Sequence, residues 1–428
     1  MSENNFAARD VFTPNDTPTV TYVGRDDLDL ESNLKQYCEL PKMVVSISGP
    51  SKSGKTVLIN KVLQEGNIIP VIGSGITSPD EIWTRALGWM ETPTSVTTTK
   101  ASTTTVYGST KAGGEVGIPL VAKGKGEAVA GASKNWNTGS SETIEDGGLP
   151  RVIKEIAHSD FVIFLDDFHY IDETHREEIG RQIKVASDNG VKIITASVPH
   201  RTDDVVRSNP ELRGRVAAVD VGHWDTRHLR MIARQGFSAL NVDLPPQVEN
   251  VLCDEAIGSP QLMQTICFCL CQVLNVESTL NEHKRLDVTD ENIAEALLRT
   301  SHFTDFSKML AALHAGPRTR GQERKEHSLI DGSNGDVYRA ALIAMCSDPV
   351  RVTFPYDEMM NRIKAACVYD SPVGSSVTSC LEQMQIISEN LQPGSPVLVW
   401  DGDNLDITDP YFAFFLRSSE KLSKLSTG

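Results

Sequence analysis

Eight consecutive residues early in the chain have the types and spacing that bind phosphate. They fit the pattern G-x-x-x-x-G-K-[ST] and are Gly49, Pro50, Ser51, Lys52, Ser53, Gly54, Lys55 and Thr56. Glycines in such a loop let backbone N–H groups turn towards phosphates at a helix N-terminus, where the helix dipole favours an anion. Lys55 adds a positive charge, and the Thr56 hydroxyl is a suitable ligand for Mg²⁺. These residues predict a phosphate-binding loop.

The segments on either side of this loop have the pattern that phosphate binding requires. Residues 43–48 predict a short buried strand, and residues 56–63 predict the helix that follows the loop. Strand, loop and helix therefore come in the required order, and we expect a nucleotide to bind here.

A second group of reactive residues ends the apolar run 161–165. Such a run is typical of a strand buried on both faces, and the two residues after it are Asp166 and Asp167, a Walker B ending. At a strand end beside the phosphate loop, Asp166 can hold Mg²⁺ directly or through water, and Asp167 can polarise the attacking water. Two adjacent carboxylates at a buried strand end are costly unless a cation is present. The alternative role for Asp167 is to cap the next turn.

Composition and charge narrow the class of protein. The 428 residues are 39% hydrophobic and 23% charged, which is ordinary for a globular protein with a sizeable core. No apolar run approaches the roughly 18 residues of a membrane span and the start does not resemble a signal peptide, so we expect a cytoplasmic protein. The net charge of −16 argues against broad non-specific affinity for nucleic acid.

Cys267, Cys269 and Cys271 lie in an apolar helical stretch, which predicts core packing rather than a metal site.

A change of composition interrupts the first part of the chain. From Thr92 to Gly148, Gly, Thr, Ser, Ala and Lys dominate and no helical period is present. Within this stretch, Val116 to Ala122 alternate with a period of two, which indicates a short strand that Pro119 would hold at a sheet edge. We interpret 92–148 as an insertion. It is a flexible loop, a β-hairpin that pairs with a neighbouring subunit or partner, or a membrane-inserting hairpin.

The rest of the chain predicts a helical lid followed by a winged helix. The lid helices cover 226–240, 245–257, 259–274 and 290–298. From residue 338 the order is helix, short strand, two helices, a β-wing over 397–407 and a closing helix. The predicted fold is α/β, a P-loop core with a parallel sheet, a helical lid and a C-terminal winged-helix domain. The predicted domains are the P-loop domain 1–224, the lid 225–300, the linker 301–336 and the winged helix 337–428.

The motifs and their order resemble AAA+ and STAND ATPases, and the ending resembles origin-recognition-like and STAND-like prokaryotic ATPases. The resemblance covers nearly everything outside the insertion and implies ATP and Mg²⁺, with Thr56 and Asp166 as metal ligands. Val23-Gly24-Arg25 resembles a segment that contributes to the base pocket. The alternative is that the N-terminal segment is a surface-packed tail. Gly258-Ser259-Pro260 resembles a Gly-x-Pro element whose proline contacts the nucleotide. Ser197, which ends the predicted strand 191–197, resembles a sensor 1 residue.

Two arginines are candidates for a role in trans. In AAA+ proteins an arginine before the last core strand reaches into the neighbouring subunit's site, and Arg213 and Arg215 precede the apolar strand 216–219. The resemblance therefore implies a homo-oligomer, a ring or a filament. The alternative for each arginine is an ordinary solvated loop residue.

The resemblance implies a nucleotide-operated switch that oligomerises and controls a protein partner or effector, in a pathway such as bacterial antiviral defence. The alternatives are a DNA-handling AAA+ ATPase and a nucleotide-bound scaffold with a membrane- or partner-inserting hairpin. The charge pattern argues against DNA, since no Lys or Arg occurs between Lys364 and Arg417, whereas seven carboxylates do. The basic linker residues that could still bind nucleic acid are Arg318, Arg320, Arg324 and Lys325.

Overall fold

The computed structural model of the chain describes residues 5–91, 96–97, 143–144, 148–198, 209–318 and 324–425. Its strands are β1 Val44–Ser48, β2 Ile68–Ile72, β3 Val96–Thr97, β4 Thr143–Ile144, β5 Val162–Asp166, β6 Lys192–Ser197, β7 Val216–Asp220, β8 Val242–Asp243, β9 Lys284–Arg285, β10 His327–Ser328, β11 Asn334–Gly335, β12 Thr353–Pro355, β13 Leu398–Trp400 and β14 Asn404–Ile407. Its helices are α1 Ala8–Val11, α2 Leu30–Glu39, α3 Lys55–Val62, α4 Glu81–Trp89, α5 Leu149–Ile156, α6 Glu173–Asp188, α7 Thr226–Ala239, α8 Pro246–Glu255, α9 Pro260–Val273, α10 Asp290–Ser301, α11 Ser307–Ala315, α12 Val337–Cys346, α13 Tyr356–Ala365, α14 Gly374–Leu391, α15 Pro410–Ser418 and α16 Lys421–Lys424.

The chain forms two compact units. The sheet unit comprises Glu31–Ser48 and Ile59–Asp220, and the lid unit comprises Met1–Leu30, Gly49–Leu58 and Val221–Gly428. The phosphate loop thus belongs to the lid unit, although it directly follows β1 of the sheet unit in the chain. Among the described residues, no helix is both long enough and apolar enough to cross a membrane.

The sheet unit is built on a parallel sheet of strand order β2-β5-β6-β1-β7. Val162 to Leu165 of β5 are all buried, as expected of an inner strand with both faces covered. β2 carries Pro70 and lies at the edge of the sheet, where a missing backbone N–H is tolerated. Because all five strands are parallel, the residues at their carboxyl ends meet along one edge of the sheet.

The two ends of the predicted insertion are held together. β3 and β4 pair in antiparallel register, with Val96 opposite Ile144 and Thr97 opposite Thr143. The alternating stretch from Val116 to Ala122 lies outside the described residues, so the predicted hairpin at that position stays a prediction.

In the lid unit, the helices α7 to α10 occur where the sequence pattern predicts them. The N-terminal arm packs on this group: the Phe12 ring lies 5.2 Å from the Phe237 ring, and a Cβ at Gly236 would lie 2.3 Å from Phe12. Cys267 and Cys271 of α9 are fully buried, which confirms their predicted packing in the core. Burial raises the pKa of the Cys271 thiol to about 12, so it stays protonated and unreactive.

The C-terminal part of the lid unit has the predicted winged-helix order: α12, β12, α13, α14, the β13–β14 wing and α15. β14 pairs antiparallel with both β12 and β13, which makes a three-stranded sheet. One buried cluster runs from the arm through the lid helices into the winged helix. Polar contacts also join the lid helices to the winged helix: the Thr265 and Tyr411 hydroxyls are 2.7 Å apart, and the Arg417 guanidinium donates to the Glu255 carboxylate at 3.0 Å. The predicted α/β fold with helical lid and winged helix is confirmed.

Candidate functional site

The backbone of the phosphate loop includes left-handed residues, a conformation that glycine adopts more easily than other residues. Gly54 has φ +91° and Lys52 has φ +62°, both in the left-handed region. A Cβ added at Gly49 would lie 2.8 Å from the Ser53 hydroxyl oxygen and 3.0 Å from Val221 Cβ, so the first glycine is required by packing. The Ser53 hydroxyl is buried and makes no hydrogen bond within the described residues. The loop is therefore tightly wound and keeps a polar atom for a ligand.

Lys55 is held by the loop itself. Its ammonium group donates to the carbonyl oxygens of Gly49 at 2.8 Å and Pro50 at 2.9 Å. Pro50 and Ser51 are half-buried in the same turn, and Thr56 is exposed in the first turn of α3. The positive charge thus lies on the turn whose N–H groups are predicted to bind phosphate.

Two lid residues fix the loop from within the lid unit. The Trp224 indole N–H donates to the Ser53 carbonyl oxygen at 2.8 Å, and the Ser259 hydroxyl donates to the Lys52 carbonyl oxygen at 3.4 Å. Ser259 also caps α9 by accepting from the Leu262 N–H, and Pro260 is the first residue of that helix. The Gly-x-Pro element predicted to contact the nucleotide therefore adjoins the phosphate loop.

Arg25 also belongs to this cluster. Its side chain is buried, its backbone is left-handed with φ +50°, and its guanidinium donates to the Val221 carbonyl oxygen at 2.7 Å. The guanidinium lies over the Trp224 ring, 4.4 Å from the ring centroid. Trp224 therefore joins the arm to the phosphate loop. Sequence reasoning missed this residue, and the only signal was a tryptophan just before the helix-capping Asp225 of α7.

A carboxylate of the winged helix lies close enough to the loop to interact with its charge. Asp409 caps α15 by accepting from the Tyr411 N–H at 2.9 Å. Burial raises the pKa of Asp409, while the Tyr411 hydrogen bond and the positive charge of Lys52 oppose the rise. Asp409 is thus a buried carboxylate at the start of the closing helix, in the same unit as the phosphate loop.

In the sheet unit, the predicted carboxylates and sensor lie at the carboxyl edge of the sheet. Asp166 ends β5, and its carboxylate accepts from the Asp167 N–H at 2.9 Å. Asp167 is left-handed, with φ +56°. Ser197 ends β6 opposite Ser48 of β1, and its buried hydroxyl makes no hydrogen bond among the described residues. This edge thus presents the two carboxylates and the Ser197 hydroxyl.

The two finger candidates differ in their surroundings. Arg215 forms an ion pair with Asp188 of its own chain, with 2.5 Å between Nη1 and Oδ1. Arg213 is exposed in the turn before β7. The intrachain ion pair makes Arg213 the better candidate for reaching another subunit.

The basic linker is partly neutralised by carboxylates. Arg324 pairs with Asp336 at 2.7 Å and lies over the Tyr338 ring, and Lys325 pairs with Asp370. Arg318 is exposed, and Arg320 lies outside the described residues. Arg324 and Lys325 thus bind carboxylates of their own chain.

The residues present fit a nucleotide with a divalent cation. The loop offers a lysine, a wound backbone and a buried Ser53 hydroxyl for phosphate, and the Thr56 hydroxyl is an oxygen ligand of the kind that Mg²⁺ accepts. In the sheet unit, Asp166 carries a carboxylate, which is also an oxygen ligand of this kind. Arg25, Pro260 and the phosphate loop belong to the lid unit, whereas Asp166, Asp167, Ser197, Arg213 and Arg215 belong to the sheet unit.

This chain is similar to several solved structures at 11–12% sequence identity. No protein-family model matches the chain, and no curated protein matches it. The Walker-type ATPase of Pyrococcus abyssi is 12% identical, with 93% of this chain and 99% of that chain covered and a TM-score of 0.46. The Aeropyrum pernix ORC2 protein, in ADPNP–ADP complexes, is 11% identical over 97% of this chain and 96% of that one, with a TM-score of 0.47. The Aeropyrum pernix ORC1 protein, in complex with DNA, is 12% identical over 99% and 98%, with a TM-score of 0.44.

Proposed function

We propose that this chain is an ATP-binding and ATP-hydrolysing switch of the AAA+/STAND type, which oligomerises and controls a partner protein. The observation that carries the proposal is the make-up of the lid unit. The phosphate loop, the lid helices and the winged helix belong to one compact unit, and one buried core joins the lid to the winged helix. A nucleotide bound at the loop would therefore contact the same compact unit that carries the winged helix, which we propose binds the partner.

Several of the predicted site residues have a part in this cycle. Lys55 and the N–H groups of the loop bind phosphate, and Trp224 and Ser259 hold the loop backbone in place while they do so. Asp167 polarises the attacking water or accepts a proton from it. Thr56 and Asp166 are the residues expected to hold Mg²⁺, which would neutralise charge on the phosphates when bound.

The winged helix supports a protein partner over a nucleic acid. The exposed residues of α14 are all uncharged or acidic: Ser375, Ser376, Ser379, Glu382, Ile386, Glu389, Asn390 and Leu391. A helix that enters a DNA groove normally presents basic side chains to phosphates and base edges. DNA handling is therefore the second candidate, a nucleotide-bound scaffold without turnover the third, and a role in antiviral defence stays a prediction.

Two substitutions separate binding from turnover. We expect Lys55→Ala to weaken ATP binding about 10- to 100-fold, because a charged hydrogen bond to phosphate is lost. We expect Asp167→Asn to keep ATP affinity and to slow hydrolysis by about 10²–10⁴-fold, since it acts on the water alone. Calorimetry measures binding, and phosphate release measures turnover.

The matched controls are Lys61→Ala, an exposed lysine further along α3, and Asp160→Asn, an exposed carboxylate before β5. Both should behave like the unmodified chain. Full hydrolysis by Asp167→Asn would remove its assigned role, and absence of ATP binding by the unmodified chain would reject the function.

A further inference from the structure

The end of β2 touches the backbone of the carboxylate pair. β2 and β5 are parallel neighbours with Ile72 opposite Asp166, and the N–H of the next residue, Gly73, donates to the Asp166 carbonyl oxygen at 2.7 Å. A Cβ added at Gly73 would lie 2.6 Å from the Asp167 carbonyl oxygen, 2.9 Å from its carbonyl carbon and 3.0 Å from the Asp166 carbonyl oxygen. All three are backbone atoms, which cannot turn aside as a flexible side chain can.

The backbone on the other side of this contact is fully engaged. The Asp167 N–H donates to the Asp166 carboxylate at 2.9 Å, and the Asp167 carbonyl oxygen accepts from the Tyr170 N–H at 2.9 Å. Asp167 is itself left-handed, at φ +56° and ψ +37°, a conformation that non-glycine residues adopt only when their surroundings impose it. Phe168 follows and is buried. A side chain at position 73 would therefore have to displace Asp167.

The requirement for glycine at position 73 is one of space. Gly73 does not have φ in the left-handed region, so an L-residue could adopt its backbone conformation. Gly66 and Gly88 of the same unit share this property, but an added Cβ at either would meet nothing within 4 Å. These two glycines are therefore matched controls for the loss of glycine itself.

We propose that Gly73 is a positioning residue for hydrolysis: the absence of a side chain at the end of β2 lets Asp167 keep the backbone conformation that sets its carboxylate. This inference rests on the proposed function, because it assigns Asp167 to the attacking water. Gly73 contacts no reacting group and acts only through Asp167.

The test is Gly73→Ala in the full-length chain, compared with Gly66→Ala and Gly88→Ala. A displacement on the order of 1 Å can cost about 10²-fold in rate, so we expect kcat to fall about 10- to 100-fold. The KM for ATP and the calorimetric ATP affinity should stay within about threefold, because the phosphate loop lies in the other unit. Both controls should keep kcat within about twofold.

A double substitution distinguishes positioning from a general structural role. If Gly73 acts through Asp167, Gly73→Ala should add no further loss in single-turnover hydrolysis on the Asp167→Asn background. A further loss of the same size on that background would overturn the inference, as would kcat unchanged in Gly73→Ala. Circular dichroism and the melting temperature check the fold, and a Gly73→Ala chain that does not fold would also overturn it.

These outcomes differ from a failure of the proposed function. If Asp167→Asn hydrolyses ATP normally, the role of Asp167 is wrong whatever Gly73→Ala does. If Asp167→Asn is inactive and Gly73→Ala is fully active, only the role of Gly73 is wrong.

Discussion

Both units place predicted site residues on left-handed backbone, at Lys52 and Gly54 in the lid unit and at Asp167 in the sheet unit, but the lid unit adds side-chain hydrogen bonds to its loop carbonyl oxygens. Around the phosphate loop, Trp224 and Ser259 donate from side chains to loop carbonyl oxygens, and Arg25 stacks on the Trp224 ring. At the carboxylate edge, Asp167 is left-handed and is packed against Gly73. The first arrangement can be loosened by changing one hydrogen bond, while the second changes only if a backbone segment moves.

This difference suggests a division of labour. A loop held by exchangeable hydrogen bonds can adjust when phosphate binds, and its variants should mainly change affinity. Carboxylates on a fixed backbone are preorganised, so variants near them should mainly change the rate. Variants in each unit test that division.

The largest effect should come from Arg213 in the sheet unit. If Arg213 completes the site of a neighbouring subunit, Arg213→Ala should lower turnover by about 10³–10⁵ and leave ATP binding unchanged. Arg215→Ala is the matched comparison, because Arg215 already pairs with Asp188, and we expect a much smaller loss. Phosphate release and calorimetry measure the two quantities.

Mixing subunits tests whether this arginine acts in trans. Lys55→Ala subunits keep Arg213 but bind ATP weakly, so adding them to Arg213→Ala subunits should restore some activity. Specific activity of the unmodified chain should also rise with protein concentration. A flat concentration dependence would indicate a site complete within one chain and would remove the role in trans.

A smaller effect is expected from Trp224 in the lid unit. Trp224→Phe keeps an aromatic ring under Arg25 but removes the N–H that binds the Ser53 carbonyl oxygen, and a hydrogen bond contributes about 0.5–1.5 kcal/mol. ATP affinity should therefore fall about 2- to 10-fold, with kcat little changed. Trp89→Phe, on α4 of the sheet unit, is the control. A fall in kcat at constant affinity would contradict the division between the two units.

Much of this architecture follows from local sequence patterns. The phosphate loop, the buried strand that ends in Asp166 and Asp167, the lid helices and the winged-helix order all depend on residues close together in the chain. The short spacing of these patterns explains why their element types and approximate bounds were predictable.

The features that the sequence did not reveal depend on distant contacts. β2 contains Pro70, which weakens a strand pattern, and only its pairing with β5 shows that Gly73 meets Asp167. The link from Trp224 to Ser53 joins residues 171 positions apart. The ion pairs of the linker are likewise not evident from the sequence. From the sequence Arg324 could bind a nucleic-acid phosphate, but in the structure it binds Asp336.

The smallest expected effect is a change in affinity for DNA, and this prediction concerns the lid unit alone. Duplex DNA binding by the full-length chain with ATP should be weak, since α14 exposes no cation and the linker is partly neutralised. Glu382→Lys with Glu389→Lys adds two cations to the exposed face of α14 and should create salt-dependent binding, because each neutralised phosphate contributes about 0.9 to the slope against log salt. Fluorescence anisotropy across a salt series measures the DNA affinity of both chains.

Tight, steeply salt-dependent binding by the unmodified chain would favour DNA handling over control of a protein partner. It would also mean that Arg318 and the linker, rather than the winged helix, form the surface through which the lid unit acts.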